Sequence, residues 1–119
     1  MEIIPSNLSE CFSELDKIID SSDEKDWFKN STEEKVVGLT HHGFGSQLRN
    51  QWKLWEKDSK MSKYFSTLGV WHADDMSGII ITSYHRHINN IKVDLKGQIE
   101  QYTNFWNEYE KENGPITHK

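Results

Sequence analysis

Apolar residues recur along this chain at intervals of three and four, the spacing that places side chains on one face of an α-helix. The two clearest stripes consist of Phe44, Leu48, Trp52 and Trp55, and of Met76, Ile80, Tyr84 and Ile88. No stretch of alternating apolar and polar residues reaches the length of a β-strand. The sequence therefore predicts an all-α fold, a compact bundle of five or six helices that forms a single domain over residues 1–119.

Capping signals mark where the predicted helices begin. Asn7 precedes an apolar stripe and is followed three residues later by a glutamate, and the segment 31–34 has a similar pattern. Ser59 is expected to begin a short helix, and Asp74 or Asp75 is expected to cap the helix that carries the second stripe.

These signals divide the domain into three parts. Acidic helices are predicted over residues 6–34, a core that carries the main motifs over about 38–90, and a C-terminal helix over about 94–112. The residues expected to face inward from the last helix are Leu95, Ile99, Tyr102, Phe105, Trp106 and Tyr109.

The composition narrows the class of protein. A single cysteine, Cys11, cannot form an internal disulfide, and the longest aliphatic run, residues 79–81, is far too short to cross a bilayer. The N-terminus lacks the pattern of a signal peptide. Five Trp, five Phe and four Tyr supply large apolar side chains to a chain that is only 34% hydrophobic. We expect a soluble cytoplasmic protein that does not contact a membrane.

Charge is distributed unevenly along the chain. Residues 1–34 carry ten acidic residues and three lysines, whereas residues 35–93 carry eight basic and four acidic ones. Five of the six histidines also lie in this basic middle segment, so an anionic ligand is expected there. The overall net charge of −5 argues against an extended nucleic-acid surface.

The segment 41–55 has the densest concentration of residues with binding chemistry. On a continuous helix His42, Arg49 and Trp52 share a face. A guanidinium can hold phosphate or carboxylate through two hydrogen bonds, and a tryptophan ring offers a stacking surface. This face, with Lys53 beside it, predicts a site for a phosphate-bearing small molecule. The structural alternative is an ion pair between Arg49 and an aspartate of the next helix.

A second cluster begins at the paired aspartates of the segment 72–77. Asp74 and Asp75 either stabilise a helix start or orient a histidine, His42 or His85, for binding or acid–base chemistry. The candidate ligand-binding residues of both clusters are His42, Arg49, Trp52, Lys53, Asp74, Asp75 and His85.

Catalytic and metal-binding motifs are missing from the sequence. His85 and His87 would point to different sides of a helix, and neither a zinc-binding HExxH motif nor a P-loop occurs. The sequence predicts no catalytic residue, no metal site and no cofactor.

Two segments, His41–Trp55 and Gly69–Ile80, together resemble a family of small bacterial and phage-associated helical domains of unknown function. The shared pattern runs HHGxGxxxRNxWxLW and then DDMSxII, and the similarity covers roughly residues 38–90. The resemblance implies a compact helical domain of bacterial or phage origin. It also implies that His42, Arg49, Trp52, Asp74 and Asp75 belong to one constellation.

Three functions remain open from the sequence. The first is a non-enzymatic regulatory module that binds a protein partner or itself, such as an immunity or phage counter-defence protein, with acidic residues 1–34 as its contact surface. The second is a binder of a nucleotide or another phosphate-bearing molecule through Arg49, His42 and Lys53. The third is an acid–base enzyme that uses His42 or His85.

Overall fold

The computed structural model describes residues 4–19 and 21–114, with the backbone alone for Ser22, His41 and His42. These ranges contain α1 (Leu8–Ile18), α2 (Ser22–Asn30), α3 (Glu33–Thr40), α4 (Ser46–Gln51), α5 (Lys60–Thr67), α6 (Ala73–Ile88) and α7 (Leu95–Asn113). A π-helical turn, His41–Gly45, joins α3 to α4. The predicted all-α fold is confirmed, and no β-strand occurs in the described ranges. The predicted number of five or six helices is too low, because the described ranges contain seven α-helices.

Helix α6 forms the centre of the domain. It contacts α1, α2, α3, α4, α7 and the π turn. Ile79, Ile80 and Ile81 point in different directions around its axis, yet none is more than 1% exposed. A helix with buried apolar residues on several sides lies in the interior of a fold. Five other helices and the π turn pack around α6. No helix of the described ranges is long and apolar enough to span a membrane.

The π turn aligns the apolar faces of α3 and α4. Val36 in α3 and Leu48 in α4 are both fully buried. In an uninterrupted α-helix two residues this far apart would differ by about 120° in direction. The π turn winds less per residue because its hydrogen bonds span five residues instead of four. Leu48 is thereby rotated back towards the direction of Val36, and both helices contact α6.

The predicted starts of α1, α3 and α5 are confirmed by their caps. The Asn7 side chain accepts a hydrogen bond from the backbone N–H of Glu10 at 2.9 Å. Thr32 accepts one from the N–H of Lys35 at 3.2 Å. Ser59 caps α5 in the same way. Each cap satisfies a backbone donor that the helix itself leaves unpaired.

The expected cap of α6 is wrong. The helix begins at Ala73 with His72 in the cap position, so Asp74 and Asp75 lie inside the first turn. Their negative charges still favour this end of the helix through its dipole, but neither side chain caps it.

The prediction that Trp55 continues the apolar stripe of Phe44, Leu48 and Trp52 is also wrong. Helix α4 ends at Gln51, and Lys53 has a φ of 55°, which interrupts helical winding. Trp52 is buried, but after this break it is Leu54 that turns inward, whereas Trp55 is 62% exposed.

Helix α7 covers one side of α6 with only part of its predicted face. Leu95 and Ile99 pack against the core. Phe105 and Tyr109, which were expected to point inward, are 57% and 43% exposed. The inward prediction is wrong for these two residues because no described element covers the face of α7 on which they lie.

An ion pair between Glu33 and Arg86 ties α3 to the end of α6. The Glu33 carboxylate accepts hydrogen bonds from Nε and Nη2 of Arg86, the latter at 3.2 Å. The hydrogen bonds and charge of Arg86 hold the pKa of Glu33 below its ordinary value despite partial burial.

This lowered pKa predicts a pH dependence of stability. Because the folded-state pKa lies below the unfolded one, the pair stabilises the fold fully above about pH 4.3 and loses its effect as the pH falls through the folded value. The contribution is at most about 1 kcal/mol, since both side chains are partly exposed to solvent.

We expect Glu33→Gln to lower the free energy of unfolding at pH 7. The variant should also lose less of this free energy than the wild type as the pH falls from about 5 to 2.5. Urea unfolding across this pH range measures both effects. Glu34→Gln, which removes an equal charge from the exposed side of the same turn, is the control. Parallel pH profiles for wild type and Glu33→Gln would contradict the prediction.

Candidate functional site

Arg49, the central residue of the predicted anion site, lies in a closed network between α4 and α6. Its side chain is 6% exposed, and its Nε lies 3.3 Å from Oδ1 of Asp74. Nη1 donates a hydrogen bond to the hydroxyl of Ser77 at 2.9 Å. Gly45 makes room for this guanidinium, because a Cβ there would lie 3.1 Å from Nη1. The structure thus contains the Arg–Asp pair that the sequence offered as the alternative to a ligand site.

The aromatic and cationic neighbours of Arg49 do not form an open surface with it. Trp52 is only 3% exposed, so its ring is covered by protein. Lys53 is exposed and lies beyond the end of α4. The Trp55 ring, outside the predicted set, lies 5.8 Å from the Arg49 guanidinium carbon. His42 lies in the π turn, and its side chain is outside the described residues.

Asp75 and His85 contact different helices. Oδ2 of Asp75 accepts a hydrogen bond from Nε1 of Trp106 in α7 at 2.8 Å. The buried ring of His85 places Nε2 2.6 Å from the carbonyl oxygen of Ser31, at the end of α2. Ten residues of α-helix separate the two by about 15 Å along the axis and rotate them by about 80°. Asp75 is therefore not in position to orient His85.

The structure shows instead an open apolar groove that the sequence did not predict. Its volume is about 560 Å³, and it lies where the end of α1, helix α2, the π turn and α4 meet. Ile18, Trp27, Phe28 and Phe44 supply its apolar surface. This volume falls within the roughly 300–1,000 Å³ typical of ligand pockets.

Helix α2 positions the two aromatic rings of the groove. Ser21 caps the helix by accepting a hydrogen bond from the N–H of Glu24 at 3.2 Å. Phe28 is anchored in the core, with its ring edge-on to that of Tyr84 at 5.5 Å between centroids. Trp27, the preceding residue, is 41% exposed. One ring is thus fixed in the interior while its neighbour offers surface to a ligand.

The charged side chains among the described lining residues of this groove are both acidic. They are Asp23 and Glu24, in the first turn of α2. Opposite charges attract more strongly beside apolar surface, where water is partly displaced. The groove therefore favours an apolar ligand that also carries positive charge.

Of the residues that line the groove, the sequence analysis placed Phe44 in a core stripe. Helical spacing shows that such a residue faces other helices, but not whether a gap remains between those helices. The available signal was the pair Trp27-Phe28 in a nine-residue helix with two acidic residues in its first turn. Adjacent residues of a helix point in different directions, so two large rings in succession cannot both be buried on one face.

The fold and this site define a small helical domain built around one buried helix, with an open apolar groove at one side. A family model described as a domain of unknown function, DUF6794, matches residues 4–88, and the chain belongs to this family. The match runs from before α1 to the last residue of α6, so it includes the groove, and α7 lies beyond it. No curated protein and no solved structure matches the chain.

Proposed function

We propose that this protein is a non-enzymatic binding module whose groove holds an amphipathic, positively charged helix of a protein partner. The observation that carries the proposal is the combination of a 560 Å³ apolar groove with a charged lining of Asp23 and Glu24. Insertion of the apolar face of a helix into such a groove is a common mode of peptide recognition. The groove lies within and beside the acidic segment 1–34, the contact surface expected from the sequence.

Trp27 is the expected main contact of the groove. Partly exposed tryptophans contribute strongly to interfaces, because their rings bury a large area with few rotatable bonds. Phe28 and Ile19 behind it are only 4% and 5% exposed, so the floor of the groove is already packed. A partner helix would therefore gain apolar contact without a rearrangement of the core.

The charge of the chain favours a different protein over a second copy as the occupant. The protein has a net charge of −5, and its acidic N-terminal segment would face itself in a symmetric pair at this groove. A partner with lysines or arginines flanking its apolar face would instead meet Asp23 and Glu24. The role of an immunity or phage counter-defence protein, which the small size, acidic surface and high aromatic content of the chain suggested, is part of this proposal.

The burial of Arg49 supports protein binding over the nucleotide-binding alternative. Its guanidinium contacts Asp74 and Ser77, and the backbone of Gly45 packs closely against it. A phosphate would have to displace the Asp74 carboxylate to reach it. Nucleotide binding and acid–base catalysis stay predictions of the sequence.

Two synthetic helical peptides test the proposal directly. Both carry leucines on one face, and one is flanked by lysines and the other by glutamates. We expect the lysine-flanked peptide to bind more tightly, and Trp27→Ala to weaken its binding about tenfold, because truncation of an interface tryptophan commonly costs more than 1 kcal/mol. Calorimetry measures affinity, and amide NMR shifts locate the contact.

Charge reversal and a matched tryptophan supply the controls. The double variant Asp23→Lys/Glu24→Lys is expected to prefer the glutamate-flanked peptide, with its fold monitored by circular dichroism because the lysines oppose the dipole of α2. Trp55→Ala removes a tryptophan of greater exposure outside the groove and should leave binding unchanged. Equal binding of both peptides to wild type, or equal weakening by the two tryptophan variants, would contradict the proposal.

A further inference from the structure

Helix α2 forms the wall of the groove that carries Trp27, and little apolar packing holds this helix in place. Phe28 is the only buried side chain among its described residues. A helix of nine residues is too short to be stable without contacts to the rest of the fold. Polar interactions are therefore needed to fix the position of α2, and with it the position of Trp27.

Two side chains of α6 and of its C-terminal end donate hydrogen bonds to carbonyl groups at the end of α2. Nδ2 of Asn89 lies 3.0 Å from the carbonyl oxygen of Lys29. Nε2 of His85 lies 2.6 Å from that of Ser31, and it carries the ring proton because a carbonyl oxygen can only accept. The last carbonyls of a helix have no partner within the helix, so these donors satisfy groups that α2 itself leaves unpaired.

The contact at Ser31 continues to the backbone of Trp27. The N–H and the hydroxyl of Ser31 both donate to the carbonyl oxygen of Trp27, at 3.1 and 2.6 Å. The ring of His85 also lies near that of Phe28, with 6.1 Å between their centroids. A chain of hydrogen bonds thus connects α6, through Ser31, to the backbone of the exposed tryptophan of the groove.

The amide group of Asn89 uses both of its hydrogens in this arrangement. Besides the contact with Lys29, its Nδ2 donates to the carbonyl oxygen of His85 at 2.9 Å. An aspartate at this position would have the same shape but no donor, and its negative charge would repel both carbonyl oxygens. Asn89→Asp is therefore a specific way to remove this link between α6 and α2.

From these contacts we propose that Asn89 and His85 are positioning residues of the groove, which hold α2 against α6 so that Trp27 lines it. Neither residue lines the groove itself. This role rests on the proposed function, because the position of Trp27 affects binding only if a partner occupies the groove. When either donor is lost, α2 opens locally and the partner helix loses its main contact.

Hydrogen exchange tests the attachment of α2 without any ligand. We expect Asn89→Asp to accelerate exchange of the amides of residues 25–31 at least about fivefold, the factor that corresponds to the loss of one hydrogen bond. The amides of α1 should exchange as in the wild type. Asn90→Asp, which adds the same charge at the exposed next residue, is the matched control. Equal acceleration by the two variants, or equal acceleration in every helix, would overturn the proposal.

Binding of the lysine-flanked peptide measures the consequence for the groove. We expect Asn89→Asp to weaken this binding at least about fivefold, and Asn90→Asp to leave it within about twofold of the wild type. Unchanged affinity of Asn89→Asp would overturn the proposal. Absence of binding to the wild type would overturn the proposed function, and the exchange data would still decide separately whether Asn89 holds α2 in place.

Two variants of His85 separate its hydrogen bond from its packing. Glutamine can place a donor close to the position of Nε2, whereas leucine fills the space but leaves the carbonyl oxygen of Ser31 without this donor. We expect His85→Leu to bind the peptide at least about fivefold more weakly than His85→Gln does. Circular dichroism checks that both variants are folded. Equal binding by the two variants would show that His85 acts through packing alone, which would overturn its role as a positioning donor.

Discussion

Replacement of Arg49 by alanine is expected to lower the free energy of unfolding by about 2–3 kcal/mol. The side chain fills the space between α4 and α6, and it donates to the hydroxyl of Ser77, a residue that is 1% exposed. Alanine would leave a cavity at this interface and remove the donor. Urea unfolding, followed by circular dichroism and tryptophan fluorescence, measures the change.

Two further variants separate the packing of Arg49 from its charge. Asp74→Asn should cost less than about 1 kcal/mol, because the Asp74 side chain is 56% exposed and the pair is screened on that side. Arg49→Lys should recover only part of the loss, since one ammonium group cannot replace the planar guanidinium. If Arg49→Ala and Asp74→Asn lowered the free energy of unfolding by equally small amounts, the network would not stabilise the core.

Ile80→Ala is expected to have the largest effect, a loss of about 2–5 kcal/mol. Ile80 is fully buried in the middle of α6, where neighbouring helices cover every side. A cavity at this position cannot close without moving several helices at once. Chemical unfolding measures the loss, and Ile80→Val should cost about 0.5–1.5 kcal/mol.

Ile91 provides the matched control for Ile80. It is 52% exposed in the segment between α6 and α7, so Ile91→Ala should change the free energy of unfolding by no more than about 0.5 kcal/mol. If the two alanine variants lost similar stability, the central position of α6 would be wrong.

Much of the secondary structure could be predicted from the sequence because its signals are local. Asn7, Thr32 and Ser59 each cap a helix through a backbone N–H three residues ahead. Gly69 has a positive φ of 91° just after α5, a conformation that favours glycine at the end of a helix. These interactions depend on a few neighbouring residues, so the chain specifies them without reference to the rest of the fold.

The errors arose where a distant contact decided the outcome. The exposure of Phe105 and Tyr109 depends on whether another element covers α7, and spacing along one helix contains no such information. One alternative left open by the sequence was that Asp75 orients His85, but rotation along α6 directs these residues towards different helices.

The surroundings of Arg49 were predicted in part. The sequence offered an ion pair between Arg49 and an aspartate of the next helix as the alternative to a ligand site, and the structure joins Arg49 to Asp74. Whether such a pair lies in an open cleft or a closed network depends on Gly45 and Ser77, which contribute through close packing rather than through a recognisable motif.

The sequence by itself determined that this chain is helical, where most of its helices begin, and that charge and aromatic residues are unevenly distributed along it. These properties follow from side-chain chemistry within one or two helical turns. Only the tertiary structure decided that the middle of α6 is buried, that the π turn aligns α3 with α4, and that an apolar groove remains beside Trp27. Packing of helices far apart in sequence sets these features, because a buried surface and an open one have the same apolar spacing.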